Sequence, residues 1–141
     1  MLDQFRLAEL VKPFIAIRPG SYTAGTTNGP AQSTAGFSGA LFTPIAGDLG
    51  ASATWDVKIQ ESDDGSTGWT DVPNSAITQL TADDQTPMID VKLTPARKAW
   101  LRAVSVVATA TSGVGVMGQL YRPSGMPGAY PIAQAIATKF C

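Results

Sequence analysis

An eight-residue alternation of apolar and polar side chains is the feature that most restricts the fold of this chain. Ala53, Trp55, Val57 and Ile59 are apolar, and the residues between them are polar. Because successive side chains of a β-strand point to opposite faces of a sheet, this pattern predicts a strand with one buried and one solvent-facing side. We therefore interpret Trp55 as a core residue, with a sugar- or base-binding platform as the alternative.

A turn follows this strand at residues 62–68, which read Ser-Asp-Asp-Gly-Ser-Thr-Gly. Asp-Gly supplies the left-handed position of a hairpin, and residues 69–72 are predicted as the returning strand. The pairs Asp63-Asp64 and Asp83-Asp84 could be catalytic carboxylates or calcium ligands. Adjacent residues at turn tips do not fix the separation that a hydrolytic pair needs, and the spacing of a calcium loop is absent. We interpret both pairs as turn residues.

Further short strands are predicted between turn signals that recur about every eight to twelve residues. They span residues 14–17, 37–42, 76–81, 87–93, 99–107 and 114–121, and residues 21–36 are predicted as a polar loop with room for one strand. The alternating Gly and Val residues at 113–118 look superficially like a phosphate loop but lack its Lys-Ser/Thr ending, so they predict close packing in a sheet. This spacing fits a sandwich, a jelly roll or a barrel, and we predict an all-β fold of the antiparallel β-sandwich or jelly-roll type.

Two apolar segments flank this β-core, which we place at residues 21–122. The N-terminal arm, residues 1–20, has an imperfect helical stripe that Pro13 would end, and then a short strand that Pro19-Gly20 would stop. The C-terminal arm, residues 123–141, begins with Pro and Gly residues and suits a helix or an extended segment equally. An isolated helix this short is marginal in water, so the arms either pack on their own core or dock on another surface. The candidate contact residues are Leu2, Phe5, Leu7, Leu10 and Phe14 in the first arm and Ile132, Ile136 and Phe140 in the second.

The composition argues against most catalytic and metal chemistry. The chain has no His and a single Cys, Cys141, which leaves no imidazole base, no Cys-rich zinc site and no intrachain disulfide. Charged residues make up 15% of the chain with a net charge of −1, and they form no cationic run for nucleic acid. We expect no enzymatic activity, no cofactor, no metal, and neither nucleic acid nor a membrane as partner. The low charge favours a surface covered by another protein, with a small, weakly charged monomer as the alternative.

Other sequence features leave alternatives open. Arg97, Lys98 and Arg102 lie close together and could contact an acidic partner, or form a solvated strand end. Trp69 and Trp100 could face inward or outward. No apolar run approaches the roughly 20 residues of a membrane span. Residues 1–6 do not read as a signal peptide, so we expect the chain to be cytosolic when made.

Three segments, in order, resemble small virion proteins of tailed bacteriophages. Residues 55–65 and 69–72 resemble a Val-Lys-x-Gln-Glu-Ser-x-Asp-Gly hairpin followed by Trp/Phe-Thr-Asp-Val. Residues 76–81 match an Ala-x-Thr-x-Leu-Thr strand, and residues 98–104 approximate Arg-x-x-Leu-Arg-Ala-Val. The match covers roughly residues 53–120 and leaves both arms outside. With its size, arms and low charge, the chain is similar to the head-decoration (cement) proteins of these phages.

This resemblance implies a jelly-roll body, self-association as a dimer or trimer, and binding to a major capsid protein of the HK97-like type. It places the protein on the outer surface of the virion and carries over no catalytic residues. Two alternatives stay open: a carbohydrate-binding module of a receptor-recognition structure, and a tail or neck structural component of the same sandwich class.

Overall fold

The structure, a computed structural model, describes residues 6–123, and its regular secondary structure is almost entirely β-strand. A 3-10 helix at Leu7–Glu9 precedes nine strands within this range. They are β1 Val11–Tyr22, β2 Gly25–Asn28, β3 Gln32–Ser33, β4 Phe37–Ala46, β5 Thr54–Ser62, β6 Thr70–Asp71, β7 Ile89–Lys92, β8 Trp100–Ala108 and β9 Ser112–Pro123.

These strands form two antiparallel sheets that pack against each other. The first sheet has the order β1-β9-β4-β7, and the second has the order β2-β8-β5-β6 with β3 also paired to β8. Every strand pair is antiparallel. One apolar core, to which both sheets contribute, lies between them. The predicted all-β sandwich is confirmed.

β5 lies where the alternating pattern predicted a strand. Trp55, Val57 and Ile59 are at most 1% exposed and face the core. Their partners in β8 are Val107, Ser105 and Ala103, respectively. The interpretation of Trp55 as a core residue is therefore confirmed.

The outer edge of β5 is covered by the chain segment that follows β6. The amide N–H groups of Ile77 and Leu80 donate to the carbonyl oxygens of Val57 and Trp55. Between these contacts and β6, the hydroxyl of Ser75 bonds both the N–H and the C=O of Ile59. This side chain interrupts the regular ladder, so the predicted strand at 76–81 is reduced to a single bridge between Trp55 and Leu80.

The N-terminal segment differs from its prediction. The predicted helix is wrong within the described range, because only Leu7–Glu9 form a 3-10 turn and β1 begins at Val11. The predicted stop at Pro19-Gly20 is also wrong. β1 pairs with one neighbour only, so Pro13 and Pro19 can lack an N–H without breaking a ladder on both sides. Residues 11–20, predicted as part of the arm, thus lie in the first sheet.

Other boundaries shifted for similar reasons. β4 continues through Pro44 because its pairing with β7 covers only Gly39–Phe42, so at Pro44 the strand has a single neighbour, β9. The polar loop predicted at 21–36 contains two short strands, β2 and β3, both on β8. The candidate contact residues Leu2, Phe5, Ile132, Ile136 and Phe140 lie outside the described residues.

Candidate protein-binding site

The face of the first sheet that points away from the second sheet, hereafter the outer face, carries most of the exposed large apolar residues of the described range. In β9, Val114, Val116 and Leu120 are buried toward the core, so the alternating residues Met117 and Tyr121 lie on the outer face. Five large apolar side chains of the described range are exposed: Leu7, Ile15, Ile45, Met88 and Met117, by 74, 60, 44, 69 and 41%, respectively. All except Met88 line two grooves on this face.

The first of these, hereafter the glycine groove, has a volume of about 430 Å³. Ile15 lies opposite Met117, and Ile45 lies opposite Gly115, so the apolar side chains of three adjacent strands surround a floor without side chains. Pro19 packs over that floor, and a Cβ atom on Gly115 would lie 3.0 Å from its Cα. The groove is therefore shallow, apolar and open.

The second, hereafter the tyrosine groove, has a volume of about 480 Å³ and lies beside the first. Leu7, Leu10, Leu41 and Tyr121 line it. Gln119, in its wall, is two residues along β9 from Met117 of the glycine groove. The two grooves thus follow the same strand and form one continuous surface.

Tyr121 gives the tyrosine groove its polar rim. Its hydroxyl donates a 2.5 Å hydrogen bond to Asp90 Oδ1 in β7. Its ring lies over Gly39, where a Cβ atom would come within 2.1 Å of the ring. Burial and the contact with Asp90 raise the pKa of Tyr121 from 10 to about 12, so the hydroxyl stays a neutral donor even above the ordinary tyrosine pKa.

The structure separates the candidate contact residues of the first arm. Leu7 and Leu10 line the tyrosine groove. Phe14 packs into the protein instead, with its ring 5.6 Å from that of Phe42 in an edge-to-face arrangement. A Cβ atom on Gly118 would lie 2.2 Å from the Phe14 ring, so this glycine makes room for it. The predicted close packing of the Gly-Val segment is confirmed here.

Sequence reasoning missed Ile15, Ile45 and Met117 as surface candidates. Ile15 and Met117 belong to segments predicted as strands, and Ile45 lies just beyond the strand predicted at 37–42. A signal in the sequence could have identified Met117. Val114 and Val116 occupy alternate positions of the strand, so Met117, at the intervening parity, lies on the opposite face of β9.

The basic residues near β8 are paired within the chain. Arg97 lies 3.4 Å from the Glu61 carboxylate, and Lys98 lies 3.7 Å from that of Asp63. Arg102 donates to the Gln60 side chain and stacks 4.3 Å from the ring centroid of Trp69. The guanidinium group therefore already covers one face of Trp69.

The third indole is also engaged within the chain. Trp100 is half-buried, and its ring packs against Gly65, where a Cβ atom would lie 2.7 Å away. The contact therefore leaves no room for a side chain at Gly65. The backbone of this residue is also left-handed, with φ +75°, a conformation that favours glycine.

Both acidic pairs lie in bends between strands, as predicted, and Asp64 makes the hydrogen bonds of a turn. Asp64 accepts 2.8 Å hydrogen bonds from the backbone N–H groups of Ser66 and Thr67, and these bonds lower its pKa. Asp83 accepts from the Leu49 N–H at 2.8 Å, and Asp84 has a left-handed backbone. Residues 6–123 contain no group of three or more side chains that could hold a metal ion. That same range also lacks a helix long and apolar enough to cross a membrane.

Comparison with known proteins returns no match, either among protein-family models or among curated proteins.

Proposed function

We propose that this chain is a non-enzymatic structural protein that binds other proteins through its outer face. More specifically, we propose a head-decoration (cement) protein of a tailed bacteriophage, which binds the major capsid protein on the virion surface and bridges neighbouring subunits. The observation that carries the proposal is the cluster of exposed Leu7, Ile15, Ile45 and Met117 along two adjoining grooves.

Exposure of this apolar surface to water has a free-energy cost. A continuous apolar face on a protein is favourable only when a partner removes it from water, and such patches commonly mark binding sites. At roughly 25 cal/mol per Å² of apolar surface, burial of several hundred Å² contributes several kcal/mol before ordering costs. Repetition of such a contact over a closed lattice multiplies its effect on the stability of the shell.

The rigidity of the sandwich suits this role. The outer face belongs to strands whose other side packs into the core, where Phe42, Val116 and Leu120 are at most 2% exposed. A surface held by a packed core loses little conformational entropy when a partner binds. Leu7 and Leu10 extend the same surface beyond the start of β1, and are the first-arm residues we propose as partner contacts.

A carbohydrate-binding function has less support from the geometry. Sugar platforms need an open aromatic ring, whereas Arg102 stacks on Trp69 and Gly65 packs against Trp100. A tail or neck component of the same fold class would use a similar apolar face, but would form ring oligomers and would not bind the capsid lattice.

Co-sedimentation with empty shells tests the proposal. The shells are assembled from the HK97-like major capsid protein encoded in the same genome. We expect saturable binding of the natural chain and at least about tenfold weaker binding of Ile15→Lys and Met117→Lys, because each places a charge in the contact. Thr26→Lys, at an exposed position of the second sheet, is the matched control and should bind normally.

Equal binding of the outer-face variants and the control would contradict the proposed site. Absence of binding by the natural chain, together with ring-shaped oligomers in electron micrographs, would favour the tail or neck alternative. Deletion of residues 1–10 tests the contribution of Leu7 and Leu10, and it leaves β1 complete because that strand begins at Val11.

A further inference from the structure

The tyrosine groove lies where the chain leaves the first sheet. Tyr121 and Arg122 line this groove, and Pro123 is the last residue of β9. Residues 124–141 follow directly in the sequence. A covalent connection this short holds a segment near an adjacent surface at an effective concentration in the millimolar range.

The composition of residues 124–141 suits an apolar groove. Ile132, Ile136 and Phe140 recur every four residues, which places them on one side of either an extended or a helical segment. Lys139 is the single charged side chain of the segment, so burial of this apolar side would desolvate few charges.

The distances are compatible with a segment that reverses over its own sheet. β9 runs from the glycine groove toward the tyrosine groove, so the chain must turn back after Pro123 to reach both. Residues 124–128, Ser-Gly-Met-Pro-Gly, have the composition of a turn. From Tyr121 back to Gly115 is roughly 20 Å along β9, at about 3.3 Å per residue. The 13 residues 129–141 could span roughly 40 Å when extended.

We propose that residues 124–141 of the same chain occupy the two outer-face grooves while the protein is free, and that the binding partner displaces them. The identity of that partner as a capsid surface rests on the proposed function. Occupation by the chain's own segment shields the apolar face from other copies before assembly. It also lowers the apparent affinity for the partner by the fraction of molecules whose face is covered.

Thiol labelling at the groove tests the covering directly. Cys141→Ser removes the only native thiol, and Met117→Cys then places a reporter in the glycine groove. We expect maleimide to label this cysteine at least about fivefold faster in a chain that ends at Pro123 than in the full-length chain. Thr26→Cys on the second sheet is the matched control, and its labelling rate should not depend on residues 124–141.

A second variant guards against misfolding of the shortened chain. The full-length triple variant Ile132→Asp, Ile136→Asp and Phe140→Asp keeps the chain length and should label as fast as the truncation. Equal labelling rates of Met117→Cys in the full-length chain, the triple variant and the truncated chain would overturn the proposal. Protection that disappears on dilution would also overturn it, because a second copy would then be the occupant.

Shell binding separates this inference from the proposed function. The truncated chain should bind empty capsid shells at least about threefold more tightly than the full-length chain, since nothing competes for the face. Protection of Met117→Cys without any shell binding would support self-covering and overturn the capsid proposal. Shell binding through the outer face, with no protection in the free protein, would overturn self-covering alone.

Discussion

The indole N–H of Trp55 in β5 donates a 2.7 Å hydrogen bond to the hydroxyl oxygen of Ser105 in β8. Both residues are at most 1% exposed, so the bond lies in the core between the sheets. A buried donor without its acceptor carries a desolvation cost of about 1–3 kcal/mol. We therefore expect Ser105→Ala to lower the free energy of unfolding by about that amount, measured by urea denaturation.

A double-mutant cycle supplies the control for this bond. In a Trp55→Phe background no indole N–H remains, so Ser105→Ala should cost much less there. An equal loss of stability in both backgrounds would show that Ser105 acts through packing alone.

The contact between Phe14 and Gly118 predicts a difference between two glycines of the same sheet. A Cβ atom on Gly118 would lie 2.2 Å from the Phe14 ring, whereas one on Gly20 would meet nothing within 4 Å. Gly118→Ala must displace a ring that also packs on Phe42, and we expect it to lower stability by about 1–3 kcal/mol. Gly20→Ala should change stability by less than about 0.5 kcal/mol. Thermal unfolding of the two variants measures the difference, and equal effects would contradict the packing argument.

The hairpin turn predicts unequal roles for two adjacent aspartates. Asp64 accepts bonds from the backbone N–H groups of Ser66 and Thr67, while Asp63, 82% exposed, makes only a 3.7 Å ion pair with Lys98. Asp64→Ala should therefore lower the melting temperature more than Asp63→Ala does.

The effect of Asp64 should depend on pH. The backbone hydrogen bond from Thr67 is the largest cause that lowers the pKa of Asp64, so folding favours its ionised form. Its contribution to stability is therefore present above the ordinary aspartate pKa of 3.8 and is lost as the pH falls through the lowered folded-state value. Melting curves of the natural chain and Asp64→Ala should converge in acid. A gap that stays constant with pH would contradict this origin.

The contact between Tyr121 and Asp90 predicts late ionisation of one tyrosine. Burial, reinforced by Asp90, raises the pKa of Tyr121 from 10 to about 12. Folding thus favours the protonated phenol, so its contribution to stability is full below pH 10 and is lost as the pH rises toward 12. Ultraviolet absorbance titration of the folded protein should show a late step that Tyr121→Phe removes. A titration in which all three tyrosines ionise together would contradict the contact.

Local patterns in the sequence were sufficient for part of the fold. The alternation around Trp55 predicted β5 and its buried face, because side-chain direction in a strand depends only on residue parity. The Asp-Gly turn after it was equally predictable, because it depends on local interactions. Asp64 accepts a hydrogen bond from the N–H of Ser66, and Gly65 adopts the left-handed backbone of the turn. The core role of the Gly-Val segment followed from the same kind of local argument.

The path of β1 and the segment at 76–81 could not be predicted in this way. Prolines end a strand only if both of its edges are paired, and the sequence does not state that β1 has a single neighbour. The segment at 76–81 has the composition of a strand, but Ser75 takes the backbone groups of Ile59 that would have continued the ladder.

The sequence by itself determined that this chain is a two-sheet β-protein with apolar residues outside the obvious core strands. Only the tertiary structure decided which of those residues are buried and which are exposed. Phe14 and Ile15 are adjacent apolar residues of β1, yet the first packs on Phe42 and the second faces water beside Met117. The physical reason is that consecutive residues of β1 point to opposite faces, and only one of these faces is covered by the second sheet, whose strands come from distant parts of the chain.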